Sequence, residues 1–473
     1  MSARLAQVRK LDTYEAFVAH LASIGAELPV DEVVDPDGAL ANPVDIVDGS
    51  AGVLRAGNRF AVLPMEGWDG DEQGRPTDLV RRRWERFGAS GAGLVWGEAT
   101  AVRHDGKANA NQLVLDETTV DGIAALRASL APGQVAGLQL THSGRWARPR
   151  GEPVPRTAYE RPYLDGRVGA TASSVFTDDE LDELAAQYVD AAVLARDAGF
   201  DFVDVKHCHG YLLHELLSAY ERQGRYGGGL DGRTRFLRTV VAGVRERAPT
   251  LAIAVRVSAF DTIPFVEGAD GVGVPVTVPA GSRHRAFGAD LAETHDLFRV
   301  FTELGIGLVS VTAGSPYYNP HVQRPAYFPP SDGYQPPEDP LVGVARQVAA
   351  AAELARAHPA ITVVGSAYSY LQEWLPNVAQ AVVRTGGASM VGLGRMMLSY
   401  PELSADVLGG VTLRQGSICR TFSDCTTAPR NGLVSGCYPL DPFYKVRPER
   451  VVLAGAKRAD RADRADRADR AER

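Results

Sequence analysis

From residue 60 onward, short apolar runs alternate with longer stretches whose apolar residues recur every three to four positions. The runs cover 60–64, 93–96, 135–140, 202–206, 252–258, 307–312, 362–366 and 389–394. They are apolar almost throughout, the pattern of strands covered on both faces. Helical periodicity between them is clearest over 178–198 and 341–357. Strands that alternate with helices pair in parallel, and eight such units predict an α/β chain closed as a (β/α)8 TIM barrel.

The flanks break this rhythm. A helical segment over 13–25 leads into an acidic stretch punctuated by Gly and Pro, so residues 1–48 read as an N-terminal arm packed outside the barrel. The barrel takes 49–410, a cysteine-containing C-terminal extension takes 411–450, and a low-complexity charged tail takes 451–473. The Ala-Asp-Arg repeat from Lys457 has no apolar face and reads as a solvated, partly disordered tail. Two connections, 263–290 and 315–340, are rich in Gly, Pro and Tyr and directly follow the fifth and sixth strands. Loops after strands lie on the catalytic face of a barrel, so a lid or a substrate wall is expected there.

Composition narrows the class without changing the fold. The 473 residues are 45% apolar and 23% charged with a net charge of −8, which disfavours nucleic acid or an anionic membrane as a partner. No apolar run is long enough to span a bilayer, and the N-terminus has no apolar signal core. Four cysteines (Cys208, Cys419, Cys425 and Cys437) do not suggest a disulfide scaffold in so long a chain. A cytoplasmic enzyme acting on a small molecule is expected, and a homo-oligomer is compatible with the sequence.

The strand ends carry the chemistry. Pro64, Met65 and Glu66 end the first run; Glu98 and Ala99 follow the second; Gln139 ends the third. Lys206 ends the fourth, with His209 and Tyr211 just beyond, and Arg256 lies in the fifth. Gly365 and Ser366 end the seventh run, and Gly394 and Arg395 the eighth. Glycines at these last two strand ends let backbone N–H groups approach an anion, and Arg395 adds a forked donor suited to phosphate. Without further context Arg256 reads as a core arginine paired with a carboxylate, His209 as a turn cap and Tyr211 as core.

Several stretches resemble the old yellow enzyme family. They are HCHGYLLHELLSAYERQGRYGGGLDGRTRF (207–236), NRFAVLPMEGWD (58–69), GLVWGEATAV (93–102), QLTHSGR (139–145), VRVSAFD (255–261), VGSAYS (364–369) and VGLGRMML (391–398). The resemblance implies FMN as cofactor. It implies that Pro64, Met65 and Ala99 line the isoalloxazine beside Glu66, that Gln139 bonds its pyrimidine side, and that Arg256 sits near N1 and O2. Gly365, Ser366, Gly394 and Arg395 hold the phosphate. Lys206 and His209 occupy the polar pair that binds a substrate oxygen, and Tyr211 the proton donor.

Three departures qualify the likeness. Glu66 stands where relatives have Thr or Cys; it cannot make the covalent flavin link of one amine-dehydrogenase branch, so FMN is expected to be non-covalent. Lys206 replaces the first member of the polar pair, and is expected either to bind substrate or to pair with Glu66 or Glu98. The segment 419–437 resembles the iron–sulfur segment of the dienoyl-CoA reductase branch but supplies three cysteines, with Phe422 near the place of the fourth. No metal is therefore expected. The chain also ends before that branch's nucleotide-binding domain, so NAD(P)H is expected to act as a transient reductant over the flavin.

The function implied is FMN-dependent reduction of an activated C=C bond or the reverse desaturation. Oxidation of a C–H next to N or O is the alternative within the class. A Schiff-base lyase or aldolase using Lys206 is the alternative outside it.

Overall fold

The computed structural model describes residues 5–277, 289–331 and 333–459. Eight parallel strands close a barrel in chain order, the eighth pairing back onto the first. They are Phe60–Val62, Leu94–Ala101, Val135–Thr141, Phe202–Val205, Ala252–Ser258, Leu308–Thr312, Thr362–Gly365 and Met390–Leu393. Each falls on one of the eight apolar runs, and all eight are buried along their whole length. The helices between them cover the outer face. The longest, Asp178–Asp197, starts at a capping box in which Thr177 and Glu180 satisfy each other's backbone N–H.

The floor of the barrel is a part the sequence pattern did not announce. An antiparallel hairpin, Val44–Asp48 with Gly52–Ala56, crosses residue 48 and plugs the N-terminal mouth. Its Val44, Ile46 and Ala56 pack against Leu94, Val135, Ala252 and Leu308 at the strand starts. Asp48 anchors it, accepting from the Ile253 backbone N–H at 3.1 Å and pairing with Arg245. The hairpin passes so close to the sixth strand that a Cβ on Gly307 would lie 1.7 Å from the Val47 carbonyl oxygen. The rest of the arm lies outside the barrel, where Phe17 stacks on Trp374 at 4.9 Å and Asp31 pairs with Arg384.

The two long connections fold together. Residues after the fifth strand form a small hairpin, Phe265–Glu267 with Gly273–Pro275. Val272 bridges to Gln335 of the connection after the sixth strand, while Ile263, Phe265 and Tyr334 share a small core. Part of the first connection, 278–288, lies outside the described residues. So do 460–473, the greater part of the charged repeat; before them a helix continues to residue 459. No helix among the described residues is long and apolar enough to cross a membrane.

Candidate active site

The C-terminal ends of the strands open into one cavity enclosing about 1320 Å³, part of it open to solvent. Eleven of the thirteen site residues read from the sequence line it: Pro64, Met65, Glu66, Gln139, Lys206, His209, Tyr211, Arg256, Ser366, Gly394 and Arg395. The other two do not. Gly365 is the last residue of the seventh strand, directly before Ser366. Ala99 is buried in the second strand, its carbonyl accepting from Gln112 at 3.0 Å. The ladder to the third strand shifts register between Gly97 and Ala99. A bulge of this kind re-aims side chains. Glu98, the residue inside it, meets Arg83 at 2.8 Å and the Trp84 indole N–H at 3.1 Å instead of the cavity.

Backbone strain concentrates on the cavity wall. Trp68 (φ 51°), His209 (φ 65°) and Ala367 (φ 76°) all occupy the left-handed region and all line it. Such conformations are costly for residues with a Cβ and cluster where a fold is committed to a particular site geometry.

Behind the cavity lining, the buried Asp204 organises the polar groups. Its carboxylate accepts from the Gln139 side-chain amide at 2.5 Å, the Trp96 indole at 2.9 Å and the Arg256 backbone N–H at 2.7 Å. Gln139 is thereby fixed with its amide nitrogen toward Asp204, leaving its carbonyl oxygen as the acceptor for a ligand. Burial pushes Asp204 up to about 6. Arg256 is also buried, and among the described residues its enclosed Nε finds no acceptor. An arginine in this state calls for an electron-rich partner that the protein does not supply.

The groups read as a phosphate cradle line the same cavity. Arg395 donates through Nη2 to the Pro325 carbonyl at 2.7 Å, while its buried Nη1 has no acceptor. A Cβ placed on Gly394 would meet no atom within 4 Å, so open space begins at that backbone. Ser366 is buried beside it, its hydroxyl donating to the Val311 carbonyl.

The same cavity holds the groups read as substrate-binding. Lys206 donates to Glu66 at 3.2 Å, with side chains only 3% and 15% exposed, and its ammonium lies 3.9 Å from the centre of the Tyr211 ring. Glu66 also accepts from the Trp68 indole at 3.0 Å. Of the carboxylates weighed as partners for Lys206, the structure selects Glu66. Burial holds the His209 imidazole well below its ordinary value, and the Arg256 and Lys206 charges push the same way, so the ring is neutral. Its Nε2 meets Gln323 at 3.3 Å and Thr312 at 3.5 Å. Burial, followed by the nearby Glu66 charge, raises the Tyr211 phenol well above 10, and its hydroxyl lies 3.0 Å from that of Tyr317.

The sequence reading expected a lid or wall from 315–340 but named none of its residues, and it missed the roof. The connection after the sixth strand contributes Pro316, Tyr317, Gln323 and Arg324 as a wall of the cavity. The described residues of the connection after the fifth strand reach no part of the cavity and brace that wall from behind. The C-terminal extension contributes Cys425, Thr426, Pro429, Arg430 and Ser435 as a roof, much of it from the short helix Asp424–Arg430. Loop length and the Tyr-Tyr pair (317–318) were the available signal for the first; the roof had none. Cys419, Cys425 and Cys437 are free thiols, each raised by burial. Among the described residues no group of three His, Cys, Asp or Glu side chains is arranged to hold a metal ion.

Residues 50–277 match the model of the NADH:flavin oxidoreductase / NADH oxidase family. The chain is 31% identical over 243 residues to an NADPH dehydrogenase of Listeria welshimeri, covering 50% of this chain and 68% of that one. Its fold is similar to that of the old yellow enzyme homologue from Zymomonas mobilis (TM-score 0.56, 20% identity, 80% of this chain and 95% of that one). It is also similar to a 2-naphthoyl-CoA reductase (TM-score 0.64, 19% identity, 87% of this chain), of whose length it spans 58%. The chain belongs to the NADH:flavin oxidoreductase / NADH oxidase family and is an FMN-dependent oxidoreductase of the old yellow enzyme type.

Proposed function

We propose that the protein holds FMN non-covalently in this cavity and reduces an activated C=C bond, with NAD(P)H as a transient reductant over the same face. One observation carries the reading. The neutral His209 and the protonated Tyr211 hydroxyl share a cavity with two arginines, Arg256 and Arg395, that keep buried N–H groups without protein acceptors.

The residues present fit the cofactor. Arg395 Nη1 and the open backbone at Gly394 suit a phosphate, the Gln139 carbonyl oxygen suits the N–H of a pyrimidine edge, and Arg256 suits the electron-rich N1/O2 edge. Bound FMN supplies hydride transfer at its N5. The chain supplies the rest. His209, uncharged, positions the oxygen of the substrate's activating group, and charge developing on that oxygen is stabilised by donors already aimed at it. Tyr211, kept protonated by burial, delivers the proton to the α carbon. Lys206 is committed to Glu66, so it neutralises a carboxylate beside the flavin instead of binding substrate; a lyase using it as a Schiff-base nucleophile is set aside with the family.

The test is anaerobic stopped-flow. The purified protein is reduced with NADPH or NADH, then mixed with cyclohexenone- and maleimide-type alkenes. Tyr211→Phe is expected to be reduced at the normal rate and reoxidised by alkene at least ~10²-fold more slowly, the usual size of a general-acid effect. Equal slowing of both half-reactions makes Tyr211 structural, and a wild-type protein never reoxidised by an alkene removes the proposal.

A further inference from the structure

We propose that Tyr317 is a positioning residue for the proton transfer: its hydroxyl holds that of Tyr211, stabilises the phenolate left behind and returns a proton to it. This rests on the proposed role of Tyr211 as the proton donor. Tyr317 comes from the connection after the sixth strand, a region that resembles none of the motifs quoted above, and it lines the cavity.

The geometry is specific. The two phenolic oxygens are 3.0 Å apart, and each can donate to the other. The Tyr317 ring is stacked on Trp146 with centroids 4.3 Å apart and planes 6° from parallel. Its backbone is fixed at both ends, since its N–H donates to Ser315 Oγ at 3.2 Å and its carbonyl accepts from Arg167 at 2.9 Å. Ser315 Oγ in turn donates to the His209 carbonyl at 2.8 Å. The loop bearing Tyr317 is therefore tied directly to the loop bearing His209 and Tyr211. A ring clamped in this way presents its hydroxyl in one place.

The need for such a partner follows from burial. Tyr211 is 4% exposed, so once its proton leaves, little water is at hand to solvate the phenolate. The Lys206 ammonium faces its ring, but that charge is shared with Glu66. The hydroxyl of Tyr317 is the donor that meets the oxygen itself. The step balances simply: the Tyr211 O–H bond breaks as a C–H bond forms at the α carbon, and the Tyr317 O–H then breaks as the Tyr211 O–H is remade. Tyr317, which is only partly buried, recovers its proton from solvent in the cavity.

Tyr317→Phe tests this, because it keeps the stacked ring and removes only the hydroxyl. FMN content, thermal midpoint and reduction by NADPH are expected to stay at wild-type values. Reoxidation by alkene is expected to slow ~10- to 100-fold, the worth of one hydrogen bond to a developing charge. The Tyr211→Phe/Tyr317→Phe double variant should be no slower than Tyr211→Phe alone, because Tyr317 acts only through Tyr211. Wild-type reoxidation by Tyr317→Phe beside a slow Tyr211→Phe overturns this inference and leaves the proposed function standing. Additive slowing in the double variant, or loss of FMN and stability in Tyr317→Phe, overturns it as well. Wild-type reoxidation in both single variants removes Tyr211 as the proton donor, and this inference with it, whereas a protein never reoxidised by alkene removes the proposed function itself.

Discussion

Replacing Lys206 by Met separates the charge from the stem that carries it. Methionine fills a similar volume, so the change leaves Glu66 without its cation and takes the ammonium from the face of Tyr211. At 3.2 Å, with an effective dielectric of about 20, the lost attraction is ~5 kcal/mol. Glu66 keeps the Trp68 indole as a donor and retains 15% of its exposure, both of which soften the loss. The expected destabilisation is therefore ~3 kcal/mol, the lower end of the range for breaking a buried pair. Urea unfolding of the holoprotein measures it. Removing both charges together, with Lys206→Met and Glu66→Gln, should recover most of the loss, since a neutral amide needs no counter-ion. A destabilisation below ~1 kcal/mol in the single variant refutes the reasoning. If that stable variant also shows a raised KM for a carboxylate-bearing alkene, Lys206 serves the substrate and not Glu66.

Arg395→Ala should weaken FMN binding by ~2–3 kcal/mol, the worth of a charged hydrogen bond, as read by fluorescence titration of apoprotein; an unchanged affinity removes the phosphate cradle from this end of the cavity. Gly394→Val should fold with wild-type stability, because no protein atom lies within 4 Å of the added Cβ, yet purify with little FMN; full occupancy would show that the phosphate lies elsewhere. Asp204 makes stability depend on pH in a particular direction. Its folded value of about 6 exceeds the ordinary 3.8, so between these the folded chain keeps a proton that the unfolded chain releases. Stability contributed by this group therefore falls as pH rises from about 4 to 6, by ~3 kcal/mol, and Asp204→Asn should remove that slope from urea unfolding measured across the window.

How much of this was legible in the sequence differs from element to element. The eight strands were readable because each is buried on both faces and so reads as a continuous apolar run. The floor hairpin was not, because its arms are only five residues each and the aspartates of Val44–Asp48 make it look like more of the acidic arm. At the site, position picked out the strand ends, since the barrel dictates where those ends point, and the family resemblance supplied the roles expected of them. Ala99 does not line the cavity, since the ladder beside it shifts register, and nothing in the Gly-Glu-Ala triplet marks a bulge. Tyr317 and the roof from Cys425 to Ser435 were out of reach for another reason. Their place is set by how loops pack on one another, through contacts such as Arg324 to Thr426 at 2.6 Å and Arg430 to the Pro316 carbonyl at 3.2 Å, and such contacts leave no periodicity.

The charges around the cavity suit the proposed cofactor, a ring system that carries a phosphate. Each carboxylate near the upper rim is answered from within the protein: Glu98 by Arg83 and Trp84, Glu66 by Lys206 and Trp68, and Asp204 by Gln139, Trp96 and the Arg256 backbone. None of these carboxylates reaches the guanidinium of Arg256, although Asp204 holds the same residue's N–H at 2.7 Å. The fold thus spends its acceptors on the backbone and the neighbouring amide, and keeps Arg256 Nε and Arg395 Nη1 buried and unanswered in residues that line one cavity. An enclosed donor without an acceptor costs ~1–3 kcal/mol, more when charged. That cost is present in the apoprotein and relieved when a ligand brings an electron-rich edge to one arginine and a phosphate to the other. If FMN is that ligand, its affinity read by titration fixes the stability that added FMN contributes in unfolding, and the two measurements must agree.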